Sequence, residues 1–236
     1  MKTVVSLLLW IAGLIYFFIT FVILTICLYI LPRDKTYATA RVLFAVLLKI
    51  VGIRLTVSGQ HHIDLSRTYL IMGNHQSLFD IFVIPVAIPL SFIGVEAAYH
   101  FSLPLWGTLM KKWGNIPIAR KNFTDAVKSL EKAREALGSG TSIGIMPEGT
   151  RTLTGEIGEF KKGPFHLALQ AGADILTFAI SGLFEYHNKN SWKFTPGRVR
   201  VAIGQPLRFE DFKDFSVDAL SDLVRRTIID LQNRSK

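Results

Sequence analysis

The chain has 236 residues, 50% of them hydrophobic, with Lys+Arg 27 against Asp+Glu 18 for a formal charge of +9. That length holds one globular domain plus a membrane element, and the positive balance suits an anionic membrane surface, a phosphorylated substrate or nucleic acid. The single cysteine, Cys27, lies inside an apolar run, which excludes a disulfide framework and a cysteine metal site and is compatible with a reducing, cytoplasmic setting.

No residue from Thr3 to Leu31 carries a charge. A spanning helix needs roughly 20 apolar residues, so this run can cross a bilayer with tilt or with a bend at Gly13. Ala38-Thr39-Ala40 looks like a signal-cleavage site, but the apolar run far exceeds a signal core of about 7–15 residues, so a cleaved signal is rejected. Trp10, Tyr16 and Tyr29 are candidates for the membrane–water interface. Next, Ala40, Val42, Leu43, Val46, Leu47, Ile50 and Val51 recur with helical period around Arg41 and Lys49. This second helix suits either the core or the headgroup layer. The expected organisation is a membrane-anchoring helical segment, 1–52, followed by a globular domain, 53–236. The basic remainder predicts that domain on the cytoplasmic face of the inner membrane, against the phospholipid surface.

From Ile53 onward strands and helices alternate. Arg54–Ser58 alternates polar and apolar like an exposed edge strand, and Tyr69–Gly73 reads as a buried one. Further strands are expected at Ser91–Val95, Gly114–Ala119, Ser142–Met146 and Ile175–Ile180, with a late one through Val199, Val201 and Ile203. Helices are expected at Leu78–Ile84, Asn122–Leu137, Gly163–Ala171 and Ser216–Asn233. This pattern predicts an α/β fold with a mostly parallel central sheet flanked by helices, after an N-terminal hydrophobic helix or helix pair.

Four segments carry chemistry. In Asn74-His75-Gln76-Ser77-Leu78-Phe79-Asp80, Ser77 and Asp80 form an ordinary capping box for the helix that follows. The cap leaves His75 unexplained. A carboxylate in the first helical turn can fold back onto a preceding imidazole, accept a hydrogen bond from its Nδ1–H and leave Nε2 free as a base. Gly114-Asn115-Ile116-Pro117-Ile118-Ala119-Arg120 ends a short strand on a cation, which fits either a solvated charge run with Lys111, Lys112 and Lys121 or a phosphate clamp. Pro147-Glu148-Gly149-Thr150-Arg151 follows a strand at the sheet edge where such folds hold ligands. There Glu148 can accept hydrogen bonds from a polyol, Gly149 lets backbone amides approach a ligand, and Arg151 can hold an anion. Phe160-Lys161-Lys162-Gly163-Pro164 opens a helix with two lysines before its N-terminus, a natural anion site.

In this order and spacing the four blocks resemble the 1-acyl-glycerol-3-phosphate acyltransferase family, over about Ile53 to Gln205. The resemblance implies a glycerolipid acyltransferase fold and transfer of a fatty acyl group from a thioester to the 2-hydroxyl of lysophosphatidate, giving phosphatidic acid. It implies His75 and Asp80 as the catalytic pair. It places Arg120, Glu148, Gly149, Thr150 and Arg151 on the glycerol phosphate, with Lys161 supporting the phosphate. No cofactor or metal is implied; acyl-CoA or acyl-acyl carrier protein is the co-substrate. The chain departs from the family at Ala173–Phe178, where two prolines are missing, and at Val95, where a lysine is usual before the glutamate. The departures leave open other acceptors: glycerol-3-phosphate, another lysophospholipid or a lyso-aminolipid. A metal-dependent hydrolase lacks an H-E-x-x-H helix, a serine hydrolase lacks a G-x-S-x-G elbow, and nucleic-acid binding has the charge but no motif. A non-catalytic lipid binder has no use for an oriented base.

Overall fold

A computed structural model describes residues 2–119 and 123–235. Two helices, α1 (Lys2–Ile30) and α2 (Arg33–Ile50), form an antiparallel hairpin ahead of the sheet. Pro32 separates them: it ends α1 and precedes the first turn of α2, where a proline's fixed φ is harmless. The rest runs β1 (Ile53–Ser58), β2 (Tyr69–Gly73), α3 (Asp80–Ala87), β3 (Phe92–Ala97), α4 (Trp106–Trp113), β4 (Ile116–Ile118), α5 (Phe123–Gly138) and β5 (Ser142–Ile145). It continues with α6 (Gly163–Ala171), β6 (Asp174–Ser181), α7 (Leu183–Tyr186), β7 (Gly197–Ile203), α8 (Phe209–Phe212) and α9 (Val217–Ser235).

The seven strands make one sheet in the order β1-β7-β6-β2-β5-β3-β4. Every neighbouring pair is parallel except β6 and β7. The expected mostly parallel sheet is present, with β1 at an edge as its alternation requires. Because side chains alternate along a strand, β2 divides its residues between two cores. Tyr69 and Ile71 face α2 and α3, while Leu70 and Met72 join the opposite layer with Phe165 of α6 and Leu220 of α9.

Helix α1 is continuous through Gly13, and it is the one described helix long and apolar enough to cross a membrane. Gly13 serves packing rather than bending: a Cβ there would lie 2.8 Å from Val51 Cγ1. Ser6, Gly13, Thr20, Leu24 and Cys27 form its buried stripe, while Leu8, Ile11, Ile15, Phe18 and Ile26 stay exposed. Two of its aromatic residues turn to protein partners. Trp10 donates its indole N–H to Trp192 O at 2.8 Å, and the Tyr29 ring lies 3.2 Å beneath Lys112 Nζ.

The core alternative is realised for α2, whose Tyr37, Ala40, Leu47 and Leu48 are buried. Arg41 caps α3, donating to Pro85 O at 3.0 Å and Val86 O at 3.3 Å. Helix α2 packs against α3 and β1, and the change from helix to strand falls at residues 51 and 52. Helix α4 was not anticipated; Lys111 and Lys112, read as local charge, form its last turn.

Candidate active site

Strand β2 ends at the C-terminal edge of the sheet, and the next four residues are tied down one by one. Asn74 continues the ladder with its side chain, donating to Ile180 O at 2.9 Å and accepting from Ile180 N at 2.7 Å. Gln76 accepts from the N–H groups of Leu183 and Phe184 at 3.1 and 3.2 Å, satisfying the orphan donors that open α7. Ser77 donates its hydroxyl to His187 O at 2.6 Å. Only half of the expected capping box forms: Asp80 Oδ2 accepts from Ser77 N at 3.2 Å, but the hydroxyl is committed to His187.

His75 is held between these anchors. Its Nδ1 lies 2.5 Å from Asp80 Oδ2, which also accepts from Gln76 N at 2.9 Å. The carboxylate is 1% exposed and the imidazole 21%, so the pair points from protein interior to open space. Three donors converging on one oxygen fix the carboxylate, and the carboxylate fixes the ring. Nε2 is left as the ring nitrogen available for chemistry.

The Pro-Glu-Gly-Thr-Arg turn is tied to the same spot. Thr152 N donates to His75 O at 2.9 Å, and His75 N donates to Glu148 Oε1 at 2.8 Å. The second oxygen of Glu148 accepts from Gly158 N at 3.0 Å. Glu148 is buried, and burial pushes its carboxyl above the usual range against the pull of the Gly158 and His75 N–H groups. Both oxygens of Glu148 accept from backbone N–H groups, so the side chain expected at the polyol also braces the histidine turn. Gly149 takes φ +69°, a left-handed value that lets Met146 O accept from its N–H at 3.0 Å.

A cavity of about 310 Å³ opens in front of His75. Beside His75 its lining includes Asp80, Gly149, Thr150, Arg151 and Lys189. Its apolar lining includes Phe21 and Leu24 of α1, Tyr37 of α2, Ile84 of α3 and Phe92 of β3. The floor is made by two register partners without side chains, Gly94 on β3 and Gly144 on β5. At Gly144 a Cβ would lie 2.8 Å from the Phe92 ring, so the aromatic can lie flat on the sheet only over glycine.

Of the site residues read from the sequence, His75, Asp80, Gly149, Thr150 and Arg151 line this cavity. Lys161 is exposed, and its N–H donates to Pro147 O at 2.8 Å while its side chain runs past Gly149, with Cγ 3.6 Å from where a Cβ would stand. Arg120 lies outside the described residues. Lys162, in contrast, is paired with Asp218 at 2.8 Å. Two features escaped sequence reasoning. Lys189, in the polar loop after α7, brings a second cation to the cavity; no periodicity or motif marks it. Glu96, one residue after Val95, joins His100 Nδ1 at 3.2 Å and Asn115 Nδ2 at 2.5 Å in the cavity wall.

Comparison with known proteins bears on the family and the fold. A family model described as Acyltransferase matches residues 54–181. The chain is 31% identical to a 1-acyl-sn-glycerol-3-phosphate acyltransferase alpha from Ovis aries over 201 residues, covering 84% of this chain and 70% of that protein. It is 32% identical to the protein of the same description from Mus musculus over 180 residues, 75% of this chain and 63% of that one. A crystal structure of the 1-acyl-sn-glycerophosphate (LPA) acyltransferase PlsC from Thermotoga maritima shares the fold, with a TM-score of 0.81 at 22% identity over 98% of this chain and 95% of that chain.

Proposed function

Because the chain belongs to the 1-acyl-sn-glycerol-3-phosphate acyltransferase family, we propose that it moves a fatty acyl group from an acyl thioester to the 2-hydroxyl of a 1-acyl-glycerol-3-phosphate, yielding phosphatidic acid. The observation that carries this reading is an imidazole fixed through Nδ1 by a buried carboxylate and facing a cavity that joins cations to an apolar wall. His75 Nε2 takes the hydroxyl proton as the oxygen attacks the thioester carbonyl. The carbon–sulfur bond then breaks, and the imidazolium returns the proton to the leaving thiolate. Asp80 stabilises the imidazolium while it exists, as the carboxylate of a Ser-His-Asp triad does, with the substrate's own hydroxyl in place of serine.

General-base catalysis supplies about 10²–10⁴-fold, so placement of the two reactants supplies much of the rest. Arg151 and Lys189, neither of which has an ion-pair partner among the described residues, hold the phosphate, with exposed Lys161 beside the same turn. The donor is acyl-CoA or acyl-acyl carrier protein; either is anionic and suits a chain of charge +9. The outward apolar side of α1 seats the enzyme on the inner-membrane surface, with the basic domain cytoplasmic. The test is to incubate purified enzyme in phospholipid vesicles with each donor and with lysophosphatidate, glycerol-3-phosphate, another lysophospholipid or a lyso-aminolipid, and to identify the lipid product. His75→Ala should abolish acyl transfer while vesicle binding persists; substantial turnover by that variant would refute the assignment.

A further inference from the structure

A second apolar cavity, of about 250 Å³, lies against the first. It is bounded by Leu9, Trp10 and Leu14 of α1, by Leu78, Phe79 and Phe82 after the histidine turn, and by Leu103 before α4. Phe17, Leu78, Ile81, Glu96, His100 and Trp106 line both spaces and so form the partition between them. Along α1 the second cavity covers Leu9 to Phe17 and the first covers Phe17 to Leu24. At 1.5 Å per residue these are about 12 Å and 10 Å of helix, lying end to end.

The proposed reaction brings two lipid tails to one imidazole: the chain being transferred and the chain already on the acceptor. One tail of a bilayer leaflet occupies roughly 15 Å, half of the hydrocarbon core. Each cavity is therefore long enough for most of one tail and too short for two in line. Their polarity differs as the two ligands do. Gly149, Thr150, Arg151 and Lys189 belong to the first cavity alone. The second has Glu96 and His100 as polar lining only at the shared partition, plus a Trp10 indole whose N–H is already given to Trp192 O. It also adjoins the membrane-facing surface, since Leu14 and Leu103 are 56% and 47% exposed. A lipid drawn from the bilayer meets that side first.

Resting on the function proposed above, we infer that the second cavity holds the acyl chain of the acceptor, while the first takes the transferred chain and the acceptor's headgroup. The partition separates the two tails, and Leu78, three residues after the base, stands between them. The two chain-length preferences are then set by different walls.

Leu103→Trp and Leu9→Trp fill the second cavity, and Gly94→Val fills the floor of the first, where a Cβ meets nothing closer than 3.5 Å. The experiment measures KM for lysophosphatidates with a short tail of about 6 and a long tail of about 16 carbons, which differ by about 0.8 kcal/mol per buried methylene, and kcat/KM for donors of graded chain length. Either tryptophan variant should raise the long-tail acceptor KM about tenfold relative to the short-tail one, the effect of leaving roughly two methylenes unburied. The donor profile should not move. Gly94→Val should shift the donor profile toward shorter chains and leave the acceptor ratio alone. A shift of the donor profile in the tryptophan variants would show one continuous donor channel and overturn the inference. An unchanged acceptor ratio in active tryptophan variants would overturn it too, while leaving the acyltransferase reading intact. Absence of acyl transfer by the unaltered protein would overturn both.

Discussion

Asp80→Asn separates two jobs that Asp80 does at once, orienting the ring and supplying charge. The amide oxygen can occupy the site of Oδ2, because Gln76 N and Ser77 N both demand an acceptor there. His75 Nδ1 therefore keeps its acceptor, and Nε2 remains the reactive nitrogen. What is lost is the negative charge beside the imidazolium. A hydrogen bond to a charged group exceeds a neutral one by about 1–2 kcal/mol. Two unit charges 4 Å apart in a partly screened site interact by up to about 4 kcal/mol, part of which the amide dipole retains. Together these give a loss of about 2–3 kcal/mol, or about 30–150-fold in kcat. Acceptor KM should stay within about twofold, since the charge acts only once the proton has moved. Stability should fall as well, because the new NH₂ takes the place of Oδ1, which is buried without a hydrogen-bond partner among the described residues. An orphaned donor costs about 1–3 kcal/mol. Asp80→Ala loses orientation and charge and should fall beyond about 10³-fold. The assay is release of free thiol from the donor, with thermal unfolding in parallel. An Asn variant as inactive as the Ala variant would show that the backbone donors do not hold the group in place. A variant with full kcat would show that the charge is not used.

Three further outcomes test other parts of the site. Glu148→Gln can offer only one acceptor oxygen to the N–H groups of His75 and Gly158, so unfolding should become easier by about 1–3 kcal/mol while acceptor KM stays put; a KM rise without destabilisation would restore Glu148 to the substrate. Arg151→Ala should raise acceptor KM by about 10–100-fold, more than it lowers kcat, as loss of a charge-assisted phosphate contact requires; an unchanged KM in steady-state assays would remove it from the headgroup site. His187 is buried, and burial, then the charge of Arg151, lowers its pKa below the ordinary 6.5. The unfolded chain thus binds the proton more readily, so stability is present above about pH 6.5 and is lost as pH falls through that value toward the folded one. His187→Phe keeps the backbone carbonyl that Ser77 bonds and fits among Phe79 and Phe194, so it should flatten the urea midpoint between pH 7 and 5; an unchanged slope would place the acid sensitivity elsewhere.

Elements with a clean period were legible in the sequence. The apolar run Tyr69–Gly73, the alternation through Val199 and Val201, and the stripe of Leu220, Val224 and Ile228 each appear where the pattern puts them. Helix α4 was hidden because eight residues make barely two turns and two of them are lysines. The His75–Asp80 pairing was readable because the partners are five residues apart and share one turn. The true partners of Ser77 and Glu148 were not. Ser77 bonds a carbonyl 110 residues away, and Glu148 bonds an N–H 73 residues back. Local spacing says that a side chain can accept or donate; which distant backbone group arrives to meet it depends on sheet order. Lys189 shows the same limit, since only the course of β6 and α7 carries that loop to the cavity.

The lone antiparallel junction, between β6 and β7, reverses β7 and its parallel neighbour β1 relative to the strands that carry the histidine turn. Ile53, the first residue of β1, pairs with Gly197, beyond the level where Ser181 pairs with Arg200. The hairpin of α1 and α2 is consequently delivered to the very rim on which His75 stands, with only Val51 and Gly52 between helix and strand. Had that junction been parallel, the hairpin would have emerged on the opposite rim, a strand's length from the reacting atoms. One cavity is thereby walled by α1, by α2 and by the imidazole together.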